Sequence, residues 1–138
     1  MKAEGGEATQ VTSNGGFAAA ESPDGESLYF THRGQAGLWR KDLASGERKL
    51  MLDLLQPLDW LNWTLARTGI YFIARPAPGV AQLAYYDLKT WRIRPLSPLP
   101  KFLYKSGLSI SPDGGTLLYT KVEKSEADLI LVENFSGI

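Results

Sequence analysis

Apolar and aromatic residues along this chain fall in short alternating runs, each closed by a cluster of Gly, Pro, Ser, Asn or Asp, and none sustains the period of about 3.6 residues that a helix needs. The pattern predicts strands. Residues 16–21, 27–31, 38–43 and 48–52 form the first series, joined by Ser22-Pro23-Asp24-Gly25, by a turn from Gly34 to Gly37 and by Ser45-Gly46. Connections this short specify one up-and-down antiparallel sheet of four strands. Pro23 presets φ for the first turn, Asp24 can bond the backbone ahead of it, and Gly25 accepts the left-handed conformation, so the punctuation has a local cause.

The same phrase returns as Ser111-Pro112-Asp113-Gly114, 89 residues on from Pro23 to Pro112, which is two units of about 40–45 residues each. A weaker middle copy lies between them. It begins with a strand over 59–64, turns at Arg67-Thr68-Gly69, and continues over 70–74, 83–88 and 92–96; its Asp87-Leu88 stands 45 residues after Asp42-Leu43. The stretch from Pro95 to Pro100, with its three prolines, reads as a stiff connector. The last unit has three strands, over 107–110, 116–122 and 129–132, while residues 6–12 match the fourth-strand phrase of the first unit. One strand, then four, four and three make three four-stranded blades in circularly shifted register. The expected division is 1–13 as the outer strand that closes the last blade, 14–53 and 54–100 as complete blades, and 101–138 as the three-stranded one.

Composition narrows the function classes. The 138 residues are 43% hydrophobic, enough for a packed core of ordinary domain size. Fifteen basic and fifteen acidic residues cancel, so no overall field draws the chain to nucleic acid or to an anionic membrane, and neither is expected as a partner. Without cysteine there is no disulfide and no thiol chemistry. The opening residues lack the apolar stretch of a signal peptide, which predicts a cytoplasmic chain as written, or a periplasmic one if it is part of a longer exported protein.

Nearly the whole chain, from about Gly5 to Phe135, resembles the C-terminal blades of bacterial TolB-like β-propellers, whose repeats carry the Ser-Pro-Asp-Gly turn. The stretches 16–25, 69–73 and 125–135 are similar to propellers appended to winged-helix regulators and kinase-like receptors. The resemblance implies a non-catalytic interaction module with an unknown protein partner, and it carries over no functional residue. Closed propellers need about four to eight blades, whereas three are present here. The expected solution is a six-bladed ring completed by a two-fold homodimer, with the N-terminal strand of each copy exchanged onto the last blade of the other.

Catalytic machinery is not expected. Gly107-Leu108-Ser109-Ile110-Ser111 begins like a hydrolase nucleophile elbow but lacks its final Gly and its strand-to-helix setting, and His32 is the only histidine available as a base. His32 reads as a turn residue, Asp24 and Asp113 as turn carboxylates in place of metal ligands, and no glycine-rich phosphate loop is present, so neither a metal nor a cofactor is expected. Among the aromatics, Trp39, Tyr71, Tyr85 and Tyr119 read as packing residues between blades. Trp60 and Trp63 differ, because they flank Asn62 on an expected innermost strand with Asp59 just ahead. A groove lined by Asp59, Trp60, Asn62 and Trp63 is the one binding site the sequence suggests, for a small molecule or glycan at the mouth of the axial channel. The mixed-charge hairpin 121–128 reads as a solvated loop.

Overall fold

The computed structural model describes residues 5–100, 102, 104, 106–121, 123, 124 and 126. Strands β1 (Phe17–Glu21), β2 (Ser27–Thr31), β3 (Leu38–Asp42) and β4 (Arg48–Leu52) form one antiparallel sheet in chain order. A second sheet repeats the plan with β5 (Trp63–Leu65), β6 (Gly69–Ala77), β7 (Val80–Asp87) and β8 (Ile93–Pro98). A third contains β9 (Leu108–Ile110) and β10 (Leu117–Tyr119). These are propeller blades, and the all-β, four-stranded reading of the sequence holds. The strand expected over 129–132 lies outside the described residues.

Strand alternation makes the middle blade the hub of two cores. Period two sends Ile70, Phe72, Ala84 and Tyr86 to one face, where they bury Tyr29, Leu38, Leu52 and Leu55 of the first blade. The opposite face of β6 and β7 carries Ile73 and Ala81 against Leu99, Phe102 and Leu108 on the side of the third blade. Phe72 and Ile70 are fully buried, each adding roughly 1.5–3 kcal/mol of transfer free energy. Of the residues read as packing, Tyr85 is buried, Trp39 and Tyr71 are half-buried, and Tyr119 is 40% exposed, its ring against Phe102.

The Ser-Pro-Asp-Gly turn is built identically in both copies. The Ser22 hydroxyl donates to Asp24 Oδ1 and accepts from Ser27 N, while Asp24 Oδ1 also accepts from Glu26 N. Ser111, Asp113, Thr116 and Gly115 repeat each of these bonds. In each, Gly25 and Gly114 take φ of +74°, the left-handed value that the turn requires.

Two expectations are corrected. Residues 59–62 are not strand: Pro57 starts a single 3-10 turn, Pro57–Asp59, and β5 begins only at Trp63, because the Asp59 and Asn62 side chains turn inward to polar partners, although the Asn62 carbonyl still accepts from Ile73 N at 3.0 Å. The proline-rich stretch is not a bare connector, since Pro95 and Pro98 both belong to β8, an outer strand that needs no donor on its free side. Residues 6–12, expected to add to the last blade of a second copy, form no strand within the single chain. Instead the Val11 carbonyl accepts from Lys41 Nζ at 2.6 Å, and Arg48 donates to Ser13 Oγ, so this segment lies over the face of the first blade that points away from the second.

Candidate functional site

The four residues chosen from the sequence do come together, but as an internal joint. Asp59 and Asn62 are both fully buried. Arg75, delivered by β6 on the face opposite Phe72, donates from Nε to Asp59 Oδ2 at 2.6 Å and from Nη2 to Oδ1 at 2.9 Å. Asn62 Nδ2 donates to the same Oδ1 at 2.5 Å, and Asn62 Oδ1 accepts from Gly107 N at 2.7 Å, which ties the second blade to the third. The Arg75 guanidinium stacks 3.7 Å from the centre of the Tyr104 ring. Bonding to Asp59 drives its pKa above the usual arginine value, so the charge is permanent. On the other side, the Thr31 hydroxyl lies within bonding distance of the Trp60 and Phe17 carbonyls, bringing the first blade into the same joint. Trp63 is buried in the core and Trp60 is half-buried, its ring edge-on to Phe17. The carboxylate and amide that a ligand would meet are thus already engaged within the protein.

A different concavity is open. The β1–β2, β5–β6 and β9–β10 turns of the three blades converge around a cavity of about 610 Å³, within the size range of small-molecule sites. Glu21, Arg67, Thr68, Tyr71, Ser111 and Asp113 supply its polar lining. Beside it, Gly69 holds β6 against β7: a Cβ there would lie 2.3 Å from the Tyr85 ring and 2.4 Å from the Tyr86 carbonyl, so only glycine lets the two strands approach this closely. Tyr85 then reaches the Thr68 hydroxyl at 2.8 Å and fixes the turn that carries Arg67. Hydrogen bonds from the Ser111 hydroxyl, then from Gly115 N, hold the Asp113 carboxyl below its usual range, so at neutral pH it is an anion and an acceptor. Arg67 makes no ion pair among the described residues.

The sequence singled out none of these as a site. The signal was nonetheless present, because Arg67 and Thr68 occupy the middle copy of the turn that Asp24 and Asp113 occupy in the others. Ser109 is exposed on β9, paired across the ladder with Leu118. His32 packs edge-on between the Phe30 and Trp39 rings. Among the described residues no group of three or more His, Asp or Glu is placed to hold a metal, and no helix is long and apolar enough to cross a membrane.

No protein-family model matches the chain, and no curated protein matches it in sequence. Its structure is similar to the crystal structure of TolB from Acinetobacter baumannii, with a TM-score of 0.63 and 17% identity over 80% of this chain. The chain spans 28% of the length of that TolB. The tricorn protease superposes over 75% of this chain and 11% of its own, at 13% identity and a TM-score of 0.47, too slight a likeness to argue from. The fold is that of TolB-like propeller blades.

Proposed function

We propose that these blades form half of a TolB-like ring, that a second copy supplies the other half, and that the assembled wheel is a non-catalytic interaction module. The observation that carries this reading is the pair of uncovered blade faces at the two ends of the row. On the first blade, strand alternation places Phe30, Trp39, Lys41 and Leu50 away from the core shared with the second blade. The segment around residues 11–16 and the His32 ring cover part of this face and bury Phe30, but Leu50 is 42% exposed, and the buried Trp39 Nε1 has no hydrogen-bond partner among the described residues. At the other end Leu118, on the far face of the third blade, is 71% exposed. Faces of this kind are what adjacent blades bury against one another, and two such junctions of about 1,000 Å² each would hold a stable dimer.

Light scattering on the eluting peak tests the assembly. The expected mass is twice 15.2 kDa. Leu118→Asp places a charge where the single chain is already open to water, so it should leave the fold intact and yield the monomer. A wild-type monomer, or a Leu118→Asp variant that assembles as wild type, would refute the ring.

A second reading rests on the cavity between the turns. Its one guanidinium, two carboxylates and one phenol around proline and isoleucine walls suit a small polar molecule, glycan or zwitterion, bound on the propeller axis. Arg67→Ala and Tyr71→Phe, tested by thermal shift against a panel of sugars and amino acids, separate the readings. A ligand whose stabilisation is lost in both variants favours the cavity; a panel without effect leaves the protein-binding reading in place.

A further inference from the structure

The middle blade breaks the repeat at one exposed position. After the third strand, Asp42 to Gly46 in the first blade corresponds to Asp87 to Trp91 in the second, and the turns are closed by the same bond, from Gly46 N to Asp42 O and from Trp91 N to Asp87 O, each 2.9 Å. Gly46 takes φ of +76°, as a glycine can; Trp91 takes +60°, where a bulky side chain is a genuine outlier. The indole is not buried in exchange for this strain. Trp91 is 52% exposed, edge-on to Tyr86 and with Lys49 Nζ of the neighbouring blade 4.5 Å from its ring centre. Ile93, 40% exposed, faces the same way as Tyr86 across the ladder and extends an apolar strip beside the indole. Lys49 stands over the indole, and Lys89 and Arg92 lie beside Trp91 in the chain; all three are exposed and without an ion pair among the described residues. The acids of these two turns are spent internally: Asp42 binds Ser45, and Asp87 accepts from the Lys89 and Thr90 amides.

We infer that Trp91, Ile93 and the cations around them form a docking surface on the outer rim, at the seam of the first two blades, for an acidic protein segment that presents an apolar side chain between carboxylates. The inference rests on the interaction-module reading and names the chemistry of the partner. The apolar residue covers Trp91 and Ile93, and the carboxylates pair with Lys49 over the indole and with Lys89 and Arg92 beside it in the chain, none of which has an acidic partner among the described residues. Strand addition is blocked at this edge by Pro95 and Pro98, so side chains must carry the recognition. A polynucleotide suits the surface less well, because it offers one aromatic ring and an aliphatic strip where successive bases need a row of stacking platforms.

The test uses the full chain with three fluorescein-labelled probes: a short peptide of alternating glutamate and leucine, its lysine counterpart, and a single-stranded oligonucleotide. The glutamate peptide should bind tightest, weaken as salt is raised, and shift the one indole NMR signal that Trp91→Gly removes. Trp91→Gly restores the residue found at the equivalent Gly46, so the urea midpoint should not fall, whereas binding should weaken by about tenfold or more. Lys49→Glu should weaken it to a similar degree. Equal binding of the lysine peptide, tighter binding of the oligonucleotide, or undiminished binding by Trp91→Gly overturns the surface. Its failure is separable from failure of the ring: the rim is exposed in monomer and dimer alike, so light scattering of Trp91→Gly should match wild type whichever way the peptide behaves.

Discussion

Removing the Asp59 carboxylate should unlock the three blades from one another. In Asp59→Ala, Arg75 loses two charge-assisted hydrogen bonds, of 2.6 and 2.9 Å, and Asn62 loses the acceptor that orients it toward Gly107. A surface ion pair would contribute about 0–1 kcal/mol. This one is different, because the Asp59 side chain is 0% exposed and that of Arg75 is 8% exposed, so the abandoned guanidinium keeps, among the described residues, only the Tyr104 ring. Stranding one partner of a buried pair costs about 3–5 kcal/mol, which is a large part of the stability of an ordinary domain. Urea unfolding followed by tryptophan fluorescence reads this as a fall in midpoint with an unchanged slope. The charge argument makes a sharper claim through the cycle. Arg75→Ala alone should also be costly, and the double variant should be no worse than the poorer single one, giving a coupling of about 3 kcal/mol. Additive losses, or an Asp59→Ala loss below about 1 kcal/mol, would refute the view that this pair is a buried joint.

Gly69→Ala should destabilise by at least about 1–3 kcal/mol in the same assay, since its methyl has no room between the Tyr85 ring and the Tyr86 carbonyl; a neutral effect would mean that β6 and β7 can part without cost. Asp24, Asp42, Asp87 and Asp113 all have pKa values lowered by turn hydrogen bonds, led by the Ser22 hydroxyl, the Ser45 amide, the Thr90 amide and the Ser111 hydroxyl respectively. Their stabilisation is therefore complete above the unfolded carboxyl value of about 4 and is lost as pH falls through the lower folded values, so the urea midpoint should drop between about pH 5 and pH 2 and drop less in Asp42→Asn/Asp87→Asn. A midpoint indifferent to acid in that window would contradict the turn geometry. Phe72→Ala, which empties a fully buried site in the larger core, should cost about 3–5 kcal/mol.

How much of this was legible in the sequence follows from the range of the interactions involved. Turn chemistry is local, so Ser22-Pro23-Asp24-Gly25 and its copy announced both their conformation and the sheet order around them. Alternation is nearly as local: period two puts Ile70 and Phe72 on one face and Ile73 on the other. Asp59 and Asn62 were misplaced because their partners, Arg75 and Gly107, lie 16 and 45 residues away. Nothing nearby in the chain distinguishes a carboxylate waiting for a ligand from one already matched by an arginine. The same limit hid the cavity, whose lining comes from three turns that only the blade geometry brings together.

The departures from the repeat are more informative than the repeat itself, and they concentrate in the middle blade. There the inner strand is shortened to carry a polar joint, the Pro-Asp-Gly turn gives way to Arg67-Thr68-Gly69, and a glycine position is filled by Trp91. The first change has a structural return, since Asp59 and Asn62 connect all three blades through Arg75, Gly107 and the Trp60 carbonyl. The other two leave a side chain facing water: Thr68 and Gly69 fit against Tyr85, but Arg67 is exposed and makes no ion pair among the described residues, and Trp91 sits strained and half in water. Both belong to turns at the same end of the blade, as the bond from Leu88 N to Thr68 O shows. Local rules broken without a gain in packing are where a fold is expected to serve something outside itself, so this end of the middle blade, from the axis at Arg67 to the rim at Trp91, is the surface on which a partner should be sought.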